Sequence, residues 1–196
     1  IHCYNVLNRF NRFNRFVYME AFMIIEKAVI DDLEEIMKFY DMMCIELGKA
    51  DFLPSGNKGG FPSEEMLKDS IFSGNLFVGR ENGIIMAAYI INNISDPAYK
   101  NINWQTDAPD SKVSILHALR VSPLYAGRGC ASALLKHAAE TASARGQKAI
   151  RLDCIEGNTV PHKMYASNGF KYMGSADIYY EDIGVPRKFL MFEKLL

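Results

Sequence analysis

The sequence predicts an α/β fold, a mixed sheet flanked by helices. Three observations carry this. Apolar, β-branched runs are bounded by turn residues, apolar stripes at helical spacing lie between them, and a glycine-rich turn joins one such run to the clearest helix. The chain of 196 residues suits one domain, expected over residues 23–196 behind an N-terminal tail over residues 1–22.

The tail differs from everything after it. Asn-Arg-Phe runs three times in succession from Asn8 to Phe16, and the arginines interrupt every apolar stretch. A signal peptide needs a continuous apolar centre, so this is a poor one. A basic, aromatic segment can touch a membrane surface or a partner, but the preferred reading is a tail outside the fold, with Met19 or Met23 a more natural start. The period of three does not continue, which excludes a repeat architecture.

Met23–Ile30 reads as a first strand. Asp31 with Glu34 forms a box-like N-cap for a helix whose apolar positions are Leu33, Ile36, Met37, Tyr40, Cys44 and Leu47, ended by Gly48. Residues 51–62 are rich in Gly and Pro and form a loop. Ser63, Glu64 and Glu65 start a second helix, ended near Gly74. Leu76–Gly79 and Ile84–Ile91 are strands joined through Asn82-Gly83, the strongest short hairpin signal. Residues 92–111 make a long polar loop of the kind that is functional or disordered in compact domains. Val113–Val121 is a strand, and residues 122–128 form a turn. Ala131, Leu134, Leu135, Ala138, Ala139 and Ala142 then give an amphipathic helix, ended by Gly146. Ala149–Cys154 is a strand. Pro161 opens a helix that Gly169 ends. Lys171–Tyr180 and Phe189–Leu195 are the last strands.

Composition excludes several functions. The formal net charge is -1, which favours neither nucleic acid nor an anionic membrane. No apolar run reaches the roughly 18 residues of a membrane span. Cys3, Cys44, Cys130 and Cys154 form no CxxC pair, so no metal site is expected. They read as reduced thiols of a cytoplasmic protein, with Cys130 and Cys154 in packing roles.

The strongest chemical signal is the strand–turn–helix over Leu119–Leu135, whose turn reads Tyr125-Ala126-Gly127-Arg128-Gly129-Cys130-Ala131. Glycines let backbone approach a ligand. Free amides and the helix dipole at a helix start attract an anion, so the turn suits a pyrophosphate, with Arg128 adding charge. The P-loop pattern GxxxxGK[ST] is absent. A dinucleotide fingerprint is nearly met by Gly127, Gly129 and Ser132, with Asp153 one strand on. Against it stand the serine at the third position, the five residues between strand and first glycine, and too little chain for a doubly wound sheet.

The turn resembles the motif of the GNAT acetyltransferase superfamily, Arg/Gln-x-x-Gly-x-Gly/Ala. Gly129 and Ala131 match, and Ala126 replaces the usual Arg or Gln. Leu119-Arg120-Val121-Ser122-Pro123 looks like the family's fourth strand and its exit. Asn158, Tyr165 and Gly169-Phe170 are similar to its Asn-x-x-Ala-x-x-Leu-Tyr-x-x-x-Gly-Phe, with Pro161 and Met164 in place of Ala and Leu. The resemblance is closest over residues 112–196. It implies a mixed, mostly antiparallel sheet of about seven strands with about four helices, and an N-acyltransferase moving acetyl from acetyl-CoA to an amine in a ternary complex. It also implies that amides of Gly127, Arg128, Gly129, Cys130 and Ala131 hold the CoA pyrophosphate. The backbone of Leu119, Arg120 and Val121 would hold the pantetheine arm, and Asn158 would orient the acyl arm. A homodimer is compatible with the resemblance. A non-catalytic acyl-CoA-binding module and a dinucleotide enzyme stand as alternatives.

Amide formation from a thioester needs a neutral amine, a stabilised oxyanion and a protonated leaving thiolate. The resemblance makes Tyr165 the acid, and backbone donors near Leu119 and Val121 the oxyanion stabilisers. His117 is the candidate base, since it titrates near neutrality and strand alternation would set it on one face with Leu119 and Val121. Its strand also resembles that of arylalkylamine N-acetyltransferases, with Ile115 where a second His stands there. Glu156 and a water chain are other sources of a base. His162 and His137 read as surface residues. The acceptor, a small-molecule or peptide amine, would lie against residues 45–61 and 92–111. There Glu46, Asp51, Asp96, Asp107 and Asp110 can attract a cation, and Tyr99 and Trp104 can cover it.

Overall fold

A computed structural model describes residues 23–49 and 61–196. The expectations for the tail over residues 1–22, for most of the 51–62 loop and for Asp51 lie outside the described residues. The rest forms a seven-stranded sheet in the order β1-β2-β3-β4-β5-β7-β6. Its strands are β1 (Ile24–Lys27), β2 (Leu76–Glu81), β3 (Ile84–Asn92), β4 (Val113–Val121), β5 (Ala149–Ile155), β6 (Lys171–Ile178) and β7 (Arg187–Leu195). Every neighbouring pair is antiparallel except β4–β5. The helices are α1 (Leu33–Leu47), α2 (Glu64–Phe72), α3 (Cys130–Ala144) and α4 (Thr159–Ser167).

Local chemistry explains most boundaries. Ser63 caps α2 by accepting from the Met66 amide at 3.2 Å, as its sequence predicts. Asn82 and Gly83 both take positive φ in the β2–β3 turn, the geometry of a tight hairpin. The first strand is shorter than expected. After Lys27 the chain turns through a short 3₁₀ segment, Ile30–Asp32, because the Asp32 carboxylate accepts from the Val29 amide at 2.9 Å. Asp32, not Asp31, therefore serves the helix start, and Glu34 pairs with Lys38 instead.

Two layers cover the sheet. On one face α3 and α4 pack Leu134, Leu135, Ala138 and Tyr165 against Phe77, Ile91, Leu116 and Leu152. On the other, α1 and α2 pack Ile36, Phe39, Leu67 and Ile71 against Val78, Ala88, Ile90 and Ala118. Beside them the 92–112 segment closes the same face over Val113, Ile115 and Met191. That segment is no open loop. It holds two 3₁₀ turns, Pro97–Asn101 and Asp110–Lys112. The Glu193 carboxylate accepts the Gln105 amide at 2.7 Å, and its other oxygen pairs with buried Arg151 at 2.9 Å.

Candidate active site

The site begins where the sheet fails to pair. β4 and β5 are in register only from Val113 to Ile115, opposite Ala149 to Arg151. Beyond that the parallel strands separate, so the backbone from Leu116 to Val121 has no strand partner on its β5 side. A bulge sharpens the divergence. Ile90 faces His117 and Ala88 faces Arg120, so β4 carries one residue more than β3 over this stretch. The extra residue accommodates Ala118 at φ +50, a conformation rare for a residue with a side chain. The Tyr40 hydroxyl fixes it by donating to the Ala118 carbonyl at 3.0 Å.

The bulge corrects the expected alternation. Leu116, Leu119 and Val121 all pack toward α3, which an uninterrupted strand would forbid for Leu116 and Leu119. His117 and Arg120 lie opposite Ile90 and Ala88, which belong to the α1–α2 layer. So His117 does not share a face with Leu119 and Val121.

A cavity of about 880 Å³ runs through the resulting gap. Its mouth on the α3 side is the glycine-rich turn. Gly127 and Gly129 have φ of +74 and +78, and a methyl group added at either would meet no atom within 4 Å. Their absent side chains therefore leave open space beside the backbone. Gly129 is the α3 N-cap residue and offers no side-chain acceptor. Among the described residues, none of the amides from Gly127 to Ser132 donates to a protein acceptor. Six outward amides at the start of a four-turn helix form a concave donor surface for an anion. Arg128 is partly neutralised by Glu81 at 3.5 Å and stacks on Tyr125.

Tyr165 reaches the cavity from α4. Its ring is buried against Phe170 and Phe192, and burial holds its hydroxyl well above the ordinary tyrosine range. The phenol is thus a proton donor at neutral pH. Asn158 borders the cavity and makes no side-chain cap to α4, which leaves its amide for a ligand. Cys154 also borders it, its thiol pushed up by burial to about 12.

The cavity's other side carries the charge. His117 Nε2 lies 3.0 Å from Asn92 Oδ1. That oxygen already accepts from the Ile94 amide at 2.8 Å, which fixes the carboxamide orientation and makes His117 Nε2 the protonated nitrogen. The Nδ1 lone pair is then the one left to accept. Burial lowers the His117 pKa to about 4. Arg120 Nη1 donates to the Leu119 carbonyl at 3.0 Å, and no carboxylate lies within 4.0 Å of it among the described residues. Asp153 stands across the gap on β5. Its Oδ2 accepts from Tyr99 at 2.8 Å and from Tyr180 at 3.0 Å. Burial raises its pKa, against the lowering effect of the two tyrosines.

Comparison with known proteins decides the family. Residues 44–170 match the acetyltransferase (GNAT) family. The chain belongs to that family. An uncharacterized N-acetyltransferase of Bacillus subtilis, YesJ, is 27% identical over 107 residues, which span 54% of this chain and 58% of the relative. Among solved structures, the PaiA N-acetyltransferase of Thermoplasma acidophilum in complex with coenzyme A superposes with TM-score 0.66 at 18% identity, covering 89% of this chain and 99% of that one. A GNAT-family acetyltransferase from Streptococcus pneumoniae gives 0.64 at 22% identity, with 89% and 99% covered. The ribosomal-protein-alanine N-acetyltransferase of Brucella melitensis gives 0.65 at 16%, with 88% and 99% covered. These structures share the fold, a mostly antiparallel sheet unlike the doubly wound sheet of a dinucleotide enzyme.

Within this GNAT fold several sequence candidates fall elsewhere. Glu156 lies outside the cavity lining and faces Lys188 at 3.7 Å. Tyr99 is buried behind Asp153, and Trp104 donates to the Tyr99 carbonyl and stacks on Arg151. Neither lines the cavity, so they brace the site rather than cover an acceptor. Asp107 and Asp110 border a separate, smaller pocket, and Glu46 pairs with Lys49. Of the acidic candidates among the described residues, Asp96 alone borders the main cavity. His137 is half-buried and shares a 2.7 Å hydrogen bond with the Tyr89 hydroxyl, and His162 packs on Phe192 with its Nε2 buried. Asp153 and Tyr180 are the functional candidates that sequence reasoning missed. Asp153 was visible only as part of a dinucleotide pattern, and no local signal ties residue 153 to tyrosines at 99 and 180. No helix among the described residues is long and apolar enough to cross a membrane, and no described cluster of residues suits a metal ion.

Proposed function

We propose that this GNAT protein transfers an acetyl group from acetyl-CoA to an amine acceptor by direct attack within a ternary complex. The observation that carries the proposal is the set of free amides from Gly127 to Ser132 at the mouth of a cavity that also reaches Tyr165. Those amides suit a pyrophosphate, and the unpaired β4 edge at Leu119, Arg120 and Val121 suits the amide groups of a pantetheine arm. Acetyl-CoA, when bound, supplies the activated acyl group as a thioester.

The residues of the chain then have separable roles. Backbone amides of Gly127, Arg128, Gly129, Cys130 and Ala131 hold the phosphates, and Asn158 orients the arm. Tyr165 protonates the departing sulfur, and burial keeps its phenol in the protonated form until then. A backbone amide on the β4 edge stabilises the oxyanion. His117, neutral at physiological pH, accepts a hydrogen bond at Nδ1 and can relay a proton through water. The buried, unpaired thiols of Cys130 and Cys154 are consistent with a cytoplasmic enzyme.

Calorimetry with acetyl-CoA tests the reading. The wild type should bind with a Kd on the order of micromolar. Gly129→Glu places a carboxylate in the cradle and a side chain at positive φ, where the strain itself costs only about 1–2 kcal/mol. It should fold and lose binding by more than about 100-fold. Tyr165→Phe should bind acetyl-CoA as the wild type does and lower kcat by about 10- to 100-fold. A wild type that ignores acetyl-CoA overturns the proposal. Tight binding without turnover of any amine would make the protein an acyl-CoA-binding module.

A further inference from the structure

The two sides of the cavity differ in chemistry in a way that describes the acceptor. Cross-strand register fixes which side chains share a face. Ile115 pairs with Arg151, so Asp153, two residues along β5, projects to the side of Ile115 and of the 92–112 segment. Arg120, opposite Ala88, projects to the α1–α2 layer of that same face. Asp153 and Arg120 therefore border the cavity on the face opposite the Gly127–Ser132 cradle, which opens on the α3 side.

Both groups are built but incomplete. Asp153 uses one oxygen for two tyrosine hydroxyls, and no protein group among the described residues donates to the other. That oxygen is not sealed in the protein, and the residue borders the cavity. Arg120 is half-buried, and its one hydrogen bond among the described residues goes to the Leu119 carbonyl. A guanidinium has five N–H donors in a fork that fits a carboxylate. Asp153 and Asp182, which line the same cavity, feel its charge, but neither forms an ion pair with it within 4.0 Å among the described residues, so the fork itself is left for an anionic ligand to complete. The phosphate cradle on the other face has its own donors, so Arg120 is not needed there.

We propose that the acceptor is an amine that also carries a carboxylate, an α-amino acid or a compact analogue, with Asp153 receiving the ammonium and Arg120 the carboxylate. This rests on the acetyltransferase reading above and names its substrate class. Asp153 takes one proton from the ammonium and passes it to solvent. The neutral nitrogen then forms a bond to the thioester carbonyl carbon as the carbon–sulfur bond breaks. Tyr165 gives its proton to the sulfur and is reprotonated by the second proton leaving the nitrogen. One amide, one free thiol and one released proton result.

The experiment uses protein saturated with CoA and matched acceptor pairs: phenylalanine with phenethylamine, glutamate with 4-aminobutyrate, methionine with 3-(methylthio)propylamine, and alanine with ethylamine. Calorimetric affinity is read first, then kcat/KM with acetyl-CoA. In at least one pair the α-amino acid should bind at least about 10-fold more tightly than its partner. Arg120→Gln should erase that preference, and Arg120→Lys should restore part of it. Asp153→Asn should weaken both members and lower kcat/KM about 100-fold. CoA affinity should stay within about threefold in all variants, because Arg120 meets the pantetheine arm through its backbone and not its side chain, and unchanged far-UV circular dichroism verifies that they fold. If no α-amino acid outbinds its partner, or if the preference survives Arg120→Gln, the inference fails while the acetyltransferase reading stands. If the wild type does not bind CoA, it is that reading which fails.

Discussion

At the scale of the residue, His117 is the most informative side chain. Its unfolded pKa is about 6.5, and burial lowers the folded value to about 4. The folded protein thus binds fewer protons than the unfolded chain between those values. Stability from the neutral imidazole is fully present above about pH 6.5 and is lost as pH falls toward 4. From pH 7 to pH 5 the linkage amounts to about 2 kcal/mol. Urea denaturation should show the wild type losing about that much more stability over this interval than His117→Gln. The same shift bears on catalysis. An imidazole that protonates only near pH 4 cannot produce an activity limb near 6.5, so a pH profile with its acid limb at 6.5 that disappears in His117→Gln would contradict the assignment.

At the scale of the element, β4 decides the site, and it does so through one irregular residue. The bulge at Ala118 turns His117 and Arg120 to one face and Leu119 and Val121 to the other, in a stretch already beyond the last β5 pair at Ile115. Tyr40 from α1 secures it. Tyr40→Phe leaves the buried Ala118 carbonyl without that donor and should destabilise by about 1–3 kcal/mol. Because the bulge shapes the acceptor side, kcat/KM for the amine should fall further than affinity for acetyl-CoA. Equal losses in both would mean that Tyr40 only supports the core. The regular elements were legible in sequence because their signals are local: the apolar stripe of α3, Ser63 before α2, Asn82-Gly83 in the hairpin. The glycine-rich turn that opens α3 was legible for the same reason. The bulge was not, because Leu116–Val121 contains no glycine and reads as unbroken strand. The Asp153 clamp was not, because its tyrosines come from segments 54 and 27 residues away.

At the scale of the whole molecule, the 92–112 segment connects the interior strand β7 to the Asp153 side of the cavity. The connection runs through Glu193 on β7, which takes the Arg151 guanidinium and the Gln105 amide together. Arg151 in turn donates to the Thr106 carbonyl at 2.9 Å and lies over Trp104, which holds the Tyr99 carbonyl. Tyr99 ends the chain at Asp153. Glu193→Ala leaves a buried guanidinium unpaired, and the cost of breaking such a pair is about 3–5 kcal/mol. The loss should not be uniform. Hydrogen exchange should speed up most in residues 97–112, where the restraints are lost, and acceptor turnover should decline because Tyr99 no longer fixes Asp153. The Gly127–Ser132 turn proposed to hold the cofactor lies on the other face and depends on α3, so affinity for acetyl-CoA should be retained. Replacing both partners by apolar residues of similar volume should recover much of the stability without recovering the exchange protection of the segment. That combination would separate the worth of the ion pair from its role in holding the acceptor side of the site.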